Sequence, residues 1–151
     1  MTRTGRTWGS GKCPLSFRLK MARTHRDIEA YLTSLGQKYD QIGDLTYRIE
    51  QGENMPPIAL RVSGDVVLLR ALIGEVPDGS VQMQCSLFRR LLELNTAELV
   101  HSAYGLDGKA IQLAAALPMA NLDMNELEAV LGDMGLALAR HVRLLRELCK
   151  G

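Results

Sequence analysis

The sequence has too few cysteines for a protein held together by covalent cross-links. Only Cys13, Cys85 and Cys149 occur among 151 residues, and they are widely spaced. An odd and scattered set of cysteines is neither a disulfide framework nor a metal-ligand spacing. This cysteine usage fits a reducing, cytoplasmic compartment.

Long hydrophobic runs are also missing. The longest apolar stretches, residues 66–69 and 113–117, are of strand length. A membrane-spanning helix needs roughly 18 uninterrupted apolar residues, so we expect no membrane association. The first twenty residues lack the apolar segment of a secretory signal as well.

Acidic residues are absent from residues 1–20, which hold five of the 18 basic residues. All 17 acidic residues follow, so the chain from Met21 onward carries a net charge of −4. Scattered charges with this balance exclude a nucleic-acid partner, which would require a basic stripe. We expect residues 1–20 to be a disordered basic extension, or a segment upstream of a true start at Met21.

Catalytic and cofactor-binding groupings are missing too. His25, His101 and His141 do not share a metal-binding spacing, and each is interpreted as a structural histidine. Residues 9–12, Gly-Ser-Gly-Lys, match part of the phosphate-loop motif. The motif requires a glycine where Arg6 lies and a serine or threonine where Cys13 lies, so the match fails. We therefore predict no enzyme activity, no cofactor, no metal and no small-molecule substrate. Cys85 activated by His101 is the one enzymatic alternative that the residues leave open.

The composition that remains is that of an ordinary globular protein. Apolar residues make up 46% of the chain and charged residues 23%. Its length suits one domain with a sizeable core, which we place over residues 21–151.

Hydrophobic periodicity and turn residues predict the order α-β-β-β-α-β-β-α. A capping box at Thr24 opens the first helix, and Asp123 with Glu126 opens the last. The connections are short, so neighbouring strands are antiparallel. The predicted fold is α+β, a twisted antiparallel sheet with helices packed mainly on one face. The strands are expected over 45–50, 58–63, 66–73, 99–104 and 110–117, the second helix over 80–95, and the last helix to about residue 149.

The second predicted helix has two apolar stripes. One contains Val81, Cys85, Phe88 and Leu92, and the other contains Leu87, Leu91 and Leu94. A surface helix of a monomer normally buries a single stripe. We therefore expect one side of this helix to pack on its own sheet and the other to contact a second copy.

The element order and the C-terminal third resemble a known family. The relevant segments are Tyr-Gly-Leu-Asp at 104–107, a strand ending in Leu-Pro at 117–118, and Asn-Leu-Asp at 121–123 before the long helix. Over residues 24–149 the chain is similar to class I type III secretion chaperones, the Tir chaperone or CesT-like family, and to YbjN-like domains. The resemblance implies a homodimer that binds an extended N-terminal segment of a secreted effector and keeps it export-competent.

The resemblance also implies two surfaces. It places the dimer interface on the second helix and the strand after it, at Val81, Cys85, Leu87, Phe88, Leu91, Leu94, Leu99, His101 and Ala103. It places the effector-binding surface on the first helix and first three strands, with the apolar candidates Ile28, Leu32, Leu35, Leu45, Tyr47, Ile49, Leu60 and Val62.

Two questions stay open at this point. Alternation shows which strand residues share a face, but not which face points to water. A YbjN-like regulatory or scaffold protein without an export substrate would have the same fold, and the sequence does not separate it from a chaperone.

Overall fold

The computed structural model describes residues 24–150, which form helices at both ends and one sheet. The predicted extension over residues 1–20 and the segment 9–12 lie outside the described residues. The elements in order are α1 (His25–Ser34), β1 (Tyr39–Gly43), β2 (Thr46–Ile49), β3 (Ile58–Ser63), β4 (Val66–Glu75), α2 (Val81–Ala97), β5 (Ala103–Asp107), β6 (Ala110–Pro118), a 3-10 turn (Met119–Asn121) and α3 (Met124–Lys150).

The six strands form one antiparallel sheet in the order β1-β2-β3-β4-β6-β5. The predicted α+β class and antiparallel sheet are confirmed. The structure adds β1 at one edge, a mostly exposed strand without the alternation that identified its neighbours. It also starts β5 at Ala103 instead of residue 99.

One face of the sheet is fully packed. Along β3, Ile58, Leu60 and Val62 are buried while the residues between them are exposed. Strand β4 continues the pattern from Val67 to Ile73. All three helices contribute buried side chains to this same core. Each Leu-sized side chain buried here stabilises the fold by roughly 1.5–3 kcal/mol relative to exposure.

The start of α3 follows the predicted capping box. The Glu126 N–H donates to Asp123 Oδ1 at 2.8 Å, and the Asp123 N–H donates to Glu126 Oε2 at 3.3 Å. Leu122 and Leu127 on either side of the cap are fully buried, as a hydrophobic staple requires. The helix then runs for 27 residues, about 40 Å, along the core.

Candidate interaction surfaces

The inner stripe of α2 belongs to the core of its own chain. Leu87, Leu91 and Leu94 are exposed by only 1%, 5% and 1%. Their predicted place in a dimer interface is therefore corrected: α2 buries them within its own chain, where they join the core shared with β5 and α3. They leave no surface for a partner to cover.

A second, neighbouring side of α2 is apolar and largely uncovered in the single chain. Val81 and Leu92 are 76% and 66% exposed and Cys85 is exposed, whereas Phe88 is half-buried and packs against the core. These four residues, which we call the outward stripe, recur at spacings of four, three and four and extend for about 16 Å. An apolar stripe of this kind on the surface of a globular domain is a candidate interaction site.

The segment after α2 extends this apolar surface. His101 and Ala103 are exposed, whereas Leu99 is half-buried against the core. Val100 is 80% exposed and was missed by the sequence analysis. The predicted strand over 99–104 put Val100 on the face opposite Leu99, His101 and Ala103, and the structure leaves this residue outside any strand.

Most of the predicted effector-binding side chains lie in the core. Leu35 and Leu45 are half-buried, and the other six are buried. This prediction is corrected, because the helices cover the face on which these strand residues lie. A partner segment can instead reach the residues that alternate with them. The six buried residues are Ile28, Leu32, Tyr47, Ile49, Leu60 and Val62.

The other face of the sheet carries those alternate residues. We call it the open face; it comprises Arg48, Ala59, Arg61, Leu68, Arg70, Leu72, Ala114 and Ala116. In the strand register, Arg48 lies opposite Ala59, Ala59 opposite Arg70, and Arg70 opposite Ala114. Leu72 is 59% exposed although it lies in a central strand. The open face thus combines apolar and cationic side chains, with Asp40 on β1 and Asp107 on β5 at its two edges.

The two edges of the sheet differ. At β5, the Tyr104 N–H donates to Asn95 Oδ1 at 2.7 Å, and Asn95 Nδ2 donates to the Tyr104 carbonyl at 3.1 Å. The side chain from α2 thereby satisfies the outward-facing backbone groups of Tyr104. No strand among residues 24–150 pairs with the outer side of β1. Of the two edges, β1 is therefore the one whose outer backbone has no side-chain partner from the described residues at its centre, whereas β5 is occupied at Tyr104.

A buried polar chain joins β5, α3 and the end of α2. The Tyr104 hydroxyl and His141 Nδ1 are 2.9 Å apart, and His141 Nε2 lies 2.9 Å from Glu98 Oε2. His141 is 4% exposed and both ring nitrogens have partners, which confirms its prediction as a structural histidine. Burial raises the pKa of Tyr104, and the hydrogen bond from His141 lowers the pKa of Glu98.

Asp133 on α3 fixes the segment before β5. Its carboxylate accepts hydrogen bonds from the backbone N–H groups of Val100, His101 and Ser102 at 3.0–3.2 Å and from Ser102 Oγ at 2.7 Å. Burial alone would raise the pKa of Asp133, but these hydrogen bonds outweigh it and hold the pKa below its usual value. Residues 100–102 are bonded to α3 instead of to β6, which explains why β5 starts late.

The enzymatic alternative finds no support in the described part of the chain. Cys85 and His101 are both exposed, and within residues 24–150 no hydrogen bond joins them. The same residues contain no group of three or more His, Cys, Asp or Glu side chains placed to hold a metal ion. Nor does any helix among them combine the length and apolarity needed to cross a bilayer. The side chain of His25 lies outside the description.

Comparison with protein families gives one match that spans most of the chain. The family model CesT_Tir_1 matches residues 21–151. No curated protein sequence matches the chain.

Solved structures share the fold at low sequence identity. A chain of the heterodimeric complex ExoU–SpcU from the type III secretion system of Pseudomonas aeruginosa is 20% identical, with a TM-score of 0.61 over 78% of this chain and 96% of that chain. A chain of the HopA1–SchA chaperone–effector complex is 19% identical, with a TM-score of 0.53 over 81% and 91%. YbjN from E. coli is 11% identical, with a TM-score of 0.56 over 78% and 90%. These likenesses establish the fold.

Proposed function

We propose that this chain, which belongs to the CesT_Tir_1 family, is a homodimeric type III secretion chaperone that binds an extended segment of a secreted effector. Binding would hold the effector's N-terminal segment in a non-globular form that is competent for export. The observation that carries the proposal is the half-covered sheet, with helices packed on one face and the other face open beside the free edge of β1. The protein would act in the cytoplasm as a binding protein.

The edge at β1 supports binding of an extended chain. A peptide that adds to a sheet edge gains main-chain hydrogen bonds, while pockets for alternate side chains give specificity. Because Asn95 occupies the backbone groups of Tyr104 on β5, we place an added strand of the bound segment at β1, and we place the rest of the segment across the open face as far as Leu72 on β4. Ile42, which is 60% exposed at an irregularity in β1, lies beside the path of such a strand.

The outward stripe supports the homodimer. A two-fold interface brings the same surface of both copies together, so an apolar stripe meets an identical one. Val81, Phe88 and Leu92 would then be covered without changing the core of either chain. Removing one Leu-sized side chain from water contributes roughly 1.5–3 kcal/mol, so several such residues on each copy form a substantial interface.

The similar structures are consistent with this role. HopA1–SchA is a chaperone–effector complex, and ExoU–SpcU comes from a type III secretion system. Both alignments span most of this chain and nearly all of the similar chain.

The test is co-expression of the full chain with a secreted protein encoded by a neighbouring gene. We expect the two to co-purify, and deletion of the effector's N-terminal segment to abolish the complex. Leu72→Asp on the open face should weaken the complex, whereas Leu136→Asp should not, because Leu136 is an exposed leucine of α3. A truncated effector that binds as well as the intact one would contradict the proposal.

The alternative is a regulatory or scaffold protein with the same fold and no export substrate. The likeness to YbjN favours it, and the geometry of the fold is common to both. The neighbouring genes separate the two, because secretion-apparatus genes favour the chaperone. Unchanged secretion of every exported protein after deletion of this gene would favour the alternative.

A further inference from the structure

Three arginines surround a small residue on the open face. Arg48 on β2 and Arg70 on β4 both lie opposite Ala59 on β3, and Arg61 follows Ala59 by two residues on the same face. Neighbouring strands are about 4.8 Å apart, so the Cα atoms of Arg48 and Arg70 are separated by roughly 10 Å. We call Arg48, Arg61 and Arg70 the arginine cluster.

The charges of this cluster are poorly compensated within the described part of the chain. Arg48 and Arg61 form no ion pair there, although Asp40 lies opposite Arg48 in the register of β1 and β2, and Glu50 and Glu53 line the same cavity as Arg48. Arg70 approaches Asp107 at 4.0 Å, with side chains 52% and 72% exposed. An exposed pair at this distance contributes little, so Asp107 does not prevent Arg70 from binding an external carboxylate. Each new exposed pair is also weak, so a preference for an acidic partner requires several carboxylates that pair with the cluster together.

A cavity extends the cluster toward one end of β4. Its volume is about 630 Å³, and its lining includes Pro57, Ala59, Leu72 and the side chains of Arg70 and Arg146. Arg146 is held there by donating to the Asn54 carbonyl at 3.3 Å. The cavity therefore presents apolar surface and two cations together.

The net charge of residues 24–150 helps to decide which class of molecule binds the arginine cluster. Six of the 18 basic residues precede residue 24, so residues 24–150 carry 12 basic and 17 acidic residues, a net charge of −5. A nucleic acid requires an extended basic surface, which three arginines on an acidic domain do not provide, whereas a few carboxylates spaced along a peptide need only the local positive charge of the cluster. A two-fold interface centred on the cluster would bring the arginines of both copies together. Residues 1–20 are basic and do not complement the cluster.

We propose that the segment bound on the open face is acidic, with carboxylates that pair with the arginine cluster and apolar side chains that cover Leu68 and Leu72. Guanidinium groups bind carboxylates through paired, charge-assisted hydrogen bonds, which favour Asp or Glu over neutral side chains. This inference rests on the proposed function, because it specifies the chemistry of the segment that the chaperone binds.

Fluorescently labelled 12-residue peptides test the preference with the full chain. One alternates leucine with glutamate, and the other replaces every glutamate with serine. We expect the acidic peptide to bind at least tenfold more tightly in 50 mM NaCl, and the difference to shrink in 500 mM NaCl because salt screens exposed charges. The double variant Arg48→Gln/Arg61→Gln should abolish the difference. The matched control Arg26→Gln/Arg140→Gln, which alters two exposed arginines on helices, should preserve it.

Three results would overturn the acidic preference. They are equal binding of the two peptides, an unchanged preference in the Arg48/Arg61 variant, and binding of a 20-nucleotide single-stranded DNA as tight as that of the acidic peptide. Leu72→Asp tests the binding surface separately. If one of these three results were found and Leu72→Asp still removed binding of both peptides, the acidic preference would be wrong and the open face would remain the binding surface. Failure of both peptides to bind at all would count against the binding surface of the proposed function as well.

Discussion

At the scale of single residues, Asp133 makes the densest set of hydrogen bonds to a loop. It accepts four of them from residues 100–102. We expect Asp133→Asn to lower the free energy of unfolding by roughly 2–3 kcal/mol. In the parent protein the four donors share two carboxylate oxygens, whereas an asparagine side chain offers them a single acceptor oxygen. Urea unfolding measures the loss. Asp65→Asn is the matched control, since that exposed side chain makes no hydrogen bond within residues 24–150. An equal loss there would contradict the role given to Asp133.

The same carboxylate makes stability depend on pH. The pKa of Asp133 is lower in the folded state than its usual value of 3.8. A lowered folded-state pKa contributes stability that is present above the unfolded-state pKa and is lost as pH falls through the folded-state pKa. The difference in unfolding free energy between the parent chain and Asp133→Asn should therefore shrink below about pH 4. A difference that is the same at pH 3 and pH 7 would contradict this.

The Tyr104 hydroxyl is the buried end of a row of hydrogen bonds that continues through His141 to Glu98. Tyr104→Phe leaves a buried imidazole nitrogen without its partner, so we expect a loss of about 1–2 kcal/mol of unfolding free energy. Tyr39→Phe removes a hydroxyl whose bond to Thr33 is exposed, and should cost much less. Thermal unfolding of the two variants measures this difference in stability. Similar melting temperatures would exclude a stabilising role for the hydrogen bonds that join Tyr104, His141 and Glu98.

At the scale of secondary-structure elements, Asn95 joins α2 to the edge of β5. Asn95→Ala would leave the N–H and carbonyl of Tyr104 without partners at a partly buried edge, so we expect a loss of roughly 1–3 kcal/mol. Hydrogen exchange of the Tyr104 amide should accelerate by at least tenfold. Asn125→Ala, at an exposed position of α3, should change neither quantity. An unchanged Tyr104 exchange rate in Asn95→Ala would show that the contact does not protect the edge.

The elements that could be predicted from the sequence are those with local signals. Strand β3 alternates in hydrophobicity, and α3 begins with a capping box that the structure reproduces. Strand β1 was missed because an exposed edge strand has no buried face to impose alternation. The start of β5 was placed too early because Asp133, more than thirty residues away, bonds the segment before it.

The candidate surfaces could be predicted only in part, for a related reason. The periodicity of α2 separated its two stripes correctly, yet the dimer interface was assigned to both. Likewise, alternation grouped Tyr47 with Ile49 but could not show that the helices cover their face. Which face is covered depends on contacts between elements distant in sequence, and those contacts have no local pattern.

At the scale of the whole molecule, burial and charge divide the surface into distinct regions. The outward stripe is apolar, the open face is apolar and cationic, and the domain as a whole is acidic. The account assigns the outward stripe to a second copy and the open face to a partner segment. These assignments are independent, since a two-fold interface on α2 leaves the face around Ala59 uncovered.

Multi-angle light scattering of the full chain at micromolar concentration tests the central claim most directly. A homodimer should give a mass of twice the 16.7 kDa of one chain. We also expect Leu92→Asp, on the outward stripe, to halve that mass without unfolding the protein, and Leu136→Asp on α3 to leave it unchanged. A parent chain that elutes with the mass of a single copy would contradict the account.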